Sequence, residues 1–489
     1  MPAIVRALKR PVVAILAVGI LAGVLRFHDL GFPERRVFDE YYYPKSACIL
    51  LGYSNERCDI NSSDERFWRE DKLDTGAWVH PPVGKWMIAV GELLFGTESF
   101  GWRVSAAATG TLIVVMLAVM IQLLFGSVLW TLVGGLLIAL ENLSFVQSRV
   151  ATLDVFVAFW IVAAFLLLLL DRRWIDRRQT APTSPAPSTD GDVAPRRPRV
   201  RAPLWRPWRF AAGVAIGGAV ATKWSGLAAL FGLVLVSLVW EITRRRRAGI
   251  ERPALDAIPA EGFGLVLAFL VVPAGVYVVS YTAWFAHFGW NLGTWAEMQG
   301  AIATYHENLR TLDPATGEPV HPYLSEAWQW LLLWRPTFYF GIYGDDVRRV
   351  IYANGNPAIF WASLLAIPYV TFAWWRSRDW RAGFIVVAIA SQFLPWLLIP
   401  RPQFFFYATP IAPFLVLANV YALRRLSEIR FSSMPPVGRE PRWVHPYRPL
   451  AAGFVIVAVA LFVWFWPTMT AGTLTTAEFA QRSWFPTWT

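Results

Sequence analysis

Eleven mostly apolar stretches decide what this chain can fold into. They cover residues 11–27, 99–125, 127–142, 150–170, 208–222, 224–241, 261–281, 357–375, 381–399, 403–424 and 450–468. A hydrocarbon core roughly 30 Å thick is crossed by about 17–25 such residues in a helix. In lipid each backbone N–H and C=O must find a partner within the protein, so unbroken apolar runs of this length are helices. The expected class is therefore an all-α integral membrane protein. Composition agrees: 56% of residues are hydrophobic and only 16% charged, against about a quarter charged in an ordinary soluble domain.

The net charge of +11 would suit a nucleic-acid partner if the basic residues formed one patch. Instead they sit in short connections such as "EITRRRRAG", "DRRWIDRRQ" and "RSRDWR". Basic short loops mark the cytoplasmic side of a membrane protein, so nucleic acid is not expected. Starting with Arg6, Lys9 and Arg10 inside, alternation along eleven helices puts every arginine-rich connection on the cytoplasmic side. The two long connections, 28–98 and 282–356, fall outside, as does the tail, 469–489. Residues 171–207, rich in Pro, Ala, Ser and Arg without apolar periodicity, read as a disordered cytoplasmic linker. The expected localisation is the cell membrane, multi-pass, with the N-terminus cytoplasmic.

Ionisable groups at helix ends in such a chain are costly unless paired or facing a cavity, which makes them functional candidates. Arg103 begins the second apolar stretch, Arg149 and Asp154 begin the fourth, Lys223 lies between the fifth and sixth, and Arg401 precedes the tenth. The topology brings all of them to the outer side, level with "VFDEYYYPK" and its adjacent carboxylates Asp39 and Glu40. In the same outer loop, "WVHPPVGKW" places His80 before two prolines and Lys85 at a helix start. Cations at one depth can hold a lipid-linked phosphate as it becomes a leaving group, and a carboxylate can take the proton of an incoming hydroxyl. Neighbouring residues on a helical turn point about 100° apart. Asp39 is then expected to face the reacting hydroxyl, and Glu40 the acceptor or the sugar. Cys48 and Cys58 share the outer loop, where a disulfide is chemically permitted. Two cysteines without a nearby His pair make a poor zinc site, so no metal is expected.

Together, "FDE" after the first helix, "HPPVGK" in the same loop, Arg103, "SRVATLDVF", "ATKWSGL" and "RPQFFFYATP" resemble the protein O-mannosyltransferases. The resemblance runs through most of the chain and is nearest to the actinobacterial members. It implies a GT-C glycosyltransferase using polyprenyl-phosphate-mannose as donor. The acceptors would be Ser or Thr hydroxyls of exported proteins, met near the Sec translocon, with inversion in a single displacement and no required cofactor. On this resemblance Asp39 matches the catalytic aspartate, Glu40 its acceptor-side or positioning partner, and Arg103 an arginine near the donor phosphate. His80, Lys85, Arg149, Asp154, Lys223 and Arg401 complete the expected donor site. The large soluble domain of eukaryotic members has no room in residues 282–356. A related transferase moving another lipid-linked sugar onto an envelope lipid or glycan would share the acidic loop. A transporter would instead show internal repeats and midplane charges.

Overall fold

The computed structural model describes residues 10–60, 79–179, 200, 203–433 and 442–488. A helix falls on each of the eleven apolar stretches: α1 Pro11–Phe27, α2 Ser99–Phe125, α3 Val128–Ala139, α4 Leu153–Gln179, α5 Pro207–Val220, α6 Gly226–Arg247, α7 Pro253–Ser280, α8 Pro357–Ser377, α9 Trp380–Phe393, α10 Ala412–Glu428 and α11 Arg448–Met469. Among the described residues seven helices, α2, α4, α6, α7, α8, α9 (continued by a 3-10 turn to Leu397) and α11, have at least 18 residues and enough apolar character to cross a membrane. The chain is a multi-pass membrane protein. α4 is the innermost, with 72% of its apolar window buried, whereas α11 presents all but 17% to the surroundings. Close approach is bought with small residues, as is usual between membrane helices. A Cβ added at Gly213 of α5 would lie 2.0 Å from the Ala268 carbonyl oxygen of α7.

Several boundaries differ from the sequence reading, two of them by nine residues. α4 continues to Gln179, nine residues into the stretch read as linker, because Asp171 lies on its buried side and pairs with Arg206. α10 starts at Ala412 rather than 403, since Pro410 and Pro413 favour a helix start there, and Phe405–Ala408 form a separate 3-10 turn. The helical bundle also carries two small antiparallel sheets that the apolar pattern did not announce. Thr337–Tyr343 pairs with Arg348–Ala353, and Phe431–Ser433 with Arg442–Val444.

The described part of the connection 28–98 is built to hold still. It contains a 3-10 turn, Phe38–Tyr41, and the helices Tyr43–Leu50 and Val83–Phe95. Cys48 and Cys58 are joined by a disulfide with the Cα atoms 5.6 Å apart. The "HPPVGK" segment is docked by its glycine: a Cβ on Gly84 would meet Leu153 at 2.7 Å and Thr222 at 2.8 Å. Val83 N–H donates to the Ala221 carbonyl at 2.9 Å. The loop thus rests on the start of α4 and the end of α5, beside Asp154 and Lys223.

Candidate active site

Asp39 sits in the Phe38–Tyr41 turn and is partly exposed. The residue before it, Phe38, has φ of 47°, a conformation a bulky side chain adopts only when its surroundings impose it. Those surroundings are a stacked Tyr339 ring at 4.5 Å and an edge-on Phe406 ring at 5.4 Å. Tyr43 hydrogen-bonds the Asp39 carboxylate. Burial raises the Asp39 pKa to about 7; Lys223 opposes the shift and Asp154 adds to it. A partly exposed carboxylate with its pKa near neutrality is suited to accepting a proton.

Glu40 points the other way and is fully buried. Its Oε1 accepts from Arg103 Nε at 2.8 Å and Ala151 N at 2.9 Å, and its Oε2 from Arg103 Nη2 at 2.8 Å and Val37 N at 3.0 Å. Every lone-pair position of the carboxylate is occupied. The expectation that Glu40 meets acceptor or sugar does not fit this geometry: Glu40 positions the turn that carries Asp39.

Arg103 is also moved from its expected role. Beyond Glu40, its Nη atoms donate to the carbonyls of Leu30, Gly31, Pro33 and Arg35. All five N–H groups are engaged, so none is left for a donor phosphate. Arg149 behaves similarly. It donates to the carbonyls of Arg26 at 3.0 Å and Asp29 at 3.1 Å, and to that of His28, closing the C-terminal end of α1. Both arginines hold the frame around the turn.

The remaining candidates do converge. Lys223 Nζ donates to Asp154 at 3.0 and 3.2 Å and lies 4.1 Å from the centre of the Tyr407 ring. His80 stacks on His306 with ring centres 5.2 Å apart and lies 6.3 Å from the Tyr43 ring. Lys85 Nζ donates to the His80 carbonyl at 2.8 Å. Arg401 Nη1 lies 3.1 Å from His306 Nδ1, while Arg401 Nε is buried without a hydrogen-bond partner. Burial, together with Lys223, holds the His80 pKa well below the ordinary range, and burial lowers that of Lys85 to about 7. Among the described residues no group of three or more His, Cys, Asp or Glu is placed to hold a metal ion.

His306, Tyr43, Tyr407 and Tyr339 belong to this constellation and were not singled out in the sequence. His306 Nε2 lies 3.2 Å from the Val79 carbonyl. A carbonyl can only accept, so Nε2 carries the hydrogen and Nδ1 is the acceptor for Arg401. Burial, with the Arg401 charge, lowers the His306 pKa to about 4 and keeps the ring neutral. His306 thereby ties the His80 loop to Arg401. Only its being one of six histidines could have flagged it.

Comparison with known proteins identifies the family. The family described as dolichyl-phosphate-mannose-protein mannosyltransferase matches residues 16–186, and the C-terminal four TMM region of protein-O-mannosyltransferase matches residues 291–488. A polyprenol-phosphate-mannose–protein mannosyltransferase of Mycolicibacterium smegmatis is 32% identical over 96% of this chain and 91% of its own. One from Corynebacterium glutamicum is 31% identical, with 96% and 92% covered. The fold matches a chain of the S. cerevisiae protein O-mannosyltransferase Pmt1-Pmt2 complex bound to the sugar donor, with a TM-score of 0.72, 14% identity and coverage of 100% and 94%. The chain belongs to the protein O-mannosyltransferase family and is a membrane glycosyltransferase of GT-C fold.

Proposed function

We propose that this enzyme transfers mannose from polyprenyl-phosphate-mannose to Ser or Thr hydroxyls of exported proteins. The reaction runs at the extracytoplasmic face, as acceptors emerge near the Sec translocon, and requires no cofactor. All eleven helices span, with residues 28–98 and 282–356 outside and the N-terminus in the cytoplasm. The observation that carries the reading is Asp39, partly exposed and held near neutral pKa beside the Asp154–Lys223 pair.

In the step itself the acceptor hydroxyl oxygen forms the new bond to the anomeric carbon as its proton passes to Asp39. The bond from that carbon to the phosphate oxygen breaks, and the electron pair leaves with polyprenyl phosphate. One base suffices because no covalent intermediate forms, and the anomeric centre inverts. Arg401, whose Nε has an unused hydrogen, and Lys223 stabilise the departing phosphate. His80 and Lys85 shape the wall beside it, and Glu40, Arg103 and Arg149 fix the frame. In membranes supplied with polyprenyl-phosphate-mannose and a Ser/Thr-rich peptide, wild type transfers mannose and Asp39→Asn does not. No transfer by wild type, or equal transfer by the variant, overturns the reading.

A further inference from the structure

Far from Asp39 the bundle holds a polar chamber that the transfer reaction does not use. Asp154 and Asp171 are 17 residues apart on α4, which at 1.5 Å per residue separates them by about 25 Å along the axis. Around Asp171 the ends of α4, α5, α6 and α7 bury an ion-pair network. Arg206 pairs with Asp171 and, at 2.6 Å, with Glu241; Arg209 pairs with Glu261 at 2.8 Å. Beside it lies a cavity of about 380 Å³ lined by five arginines and three carboxylates, within the size range of small-molecule sites.

The network itself is matched, but the lining is not. Asp171 and Glu241 are held by their own arginines, whereas three lining guanidinium groups have capacity left. Arg209 Nε is buried without a hydrogen-bond partner, and the Asp171 carboxylate lies 3.9 Å from it. Among the described residues Arg172 has one ion-pair partner, Asp176 at 3.8 Å, and its guanidinium lies 4.0 Å from the Trp380 ring centre and 4.7 Å from that of Trp240. Arg247, exposed at the rim, makes no ion pair among the described residues. A buried N–H left unmade is costly, and fixed guanidinium groups suit a phosphate better than a carboxylate already paired.

We propose that this chamber binds a phosphate group, as an anionic lipid headgroup or a soluble phosphate compound, at the end of the bundle opposite the mannosyl-transfer site. The test uses the full chain in neutral detergent at constant ionic strength, reading thermal melting. Short-chain phosphatidylglycerol, phosphatidylcholine and inorganic phosphate are titrated separately against wild type, Arg247→Gln and the double variant Arg172→Gln/Arg247→Gln. A saturable rise in melting temperature is expected with a phosphate ligand but not with phosphatidylcholine, whose phosphate is neutralised by its own choline. The apparent affinity should fall about tenfold for each arginine removed, as expected for loss of a charged hydrogen bond. A larger effect of phosphatidylglycerol than of inorganic phosphate assigns the site to a headgroup; an equal effect assigns it to a soluble phosphate. The proposal is overturned if neither ligand raises the wild-type melting temperature, or if the rise persists unchanged in both variants. Arg247→Gln removes an exposed side chain and leaves the fold intact, so its failure to respond cannot be ascribed to misfolding.

Discussion

Replacing Glu40 by Gln separates a framework role from an acceptor-binding one. The substitution keeps the side-chain size and removes the charge. Whichever way the amide turns, its NH2 faces two donors: Arg103 Nε with Ala151 N, or Arg103 Nη2 with Val37 N. Two hydrogen bonds are lost, and Arg103, 1% exposed, keeps its charge without a counter-ion. Removing one partner of a buried ion pair costs about 3–5 kcal/mol, and even the lower figure raises the unfolded fraction by about a hundredfold. The assay is the half-life of the folded protein in detergent at fixed temperature, since unfolding of such a protein is governed by rate, with donor and acceptor KM measured on the surviving fraction. A much shorter half-life is expected, with kcat reduced because Asp39 rides on the loosened turn. A wild-type half-life with only the acceptor KM raised would refute the framework reading and restore Glu40 to the acceptor side.

Other expectations follow from the same geometry. Asp39→Asn should lower transfer by about 10²–10⁴-fold without shortening the half-life, because the neutral amide is no harder to bury than the carboxylate it replaces. With the Asp39 pKa near 7, kcat/KM should rise about tenfold per pH unit below 7 and level off above it; a profile flat between pH 5.5 and 7 contradicts that assignment. His306→Phe should raise the donor KM more than it lowers kcat, measured by titrating donor at saturating acceptor, because Arg401 loses its fixed partner. The His306 pKa of about 4 lies below the ordinary histidine value of 6.5, so the folded state holds fewer protons than the unfolded chain. Its contribution to stability is complete above pH 6.5 and lost as pH falls towards 4, and His306→Phe should reduce acid inactivation in that window. Cys48→Ser, opening a loop of sequence separation 10, should cost about 2–3 kcal/mol, read as a shortened half-life with donor KM unchanged.

The membrane architecture was legible because lipid leaves a backbone few options, and apolar length alone marks where the helices lie. Asp39, Lys223, Asp154 and Arg401 were legible as charges where charge is costly. That criterion finds buried charge without saying what satisfies it. Arg103 and Arg149 met it as fully as Lys223 did, yet apart from Glu40 on Arg103 their partners are main-chain carbonyls of residues 25–35, which no side-chain pattern reveals. His306 and Tyr339 come from the later loop, where nothing periodic points inward. The run from Asp171 to Gln179 looked like linker because its charges were read as solvated, whereas Asp171 has a buried partner 35 residues on.

The four bonds to Glu40 join three stretches of chain: the turn itself, Arg103 on α2, and Ala151 just before α4. During synthesis the turn emerges long before the other two. Until α2 is in place the Glu40 carboxylate has no counter-ion, and until Ala151 arrives Oε1 lacks its second donor. The catalytic loop is thus completed by later segments, so a nascent chain stalled before α4 would carry Asp39 without the turn needed to aim it. The enzyme acquires its active geometry only once much of its own insertion is done.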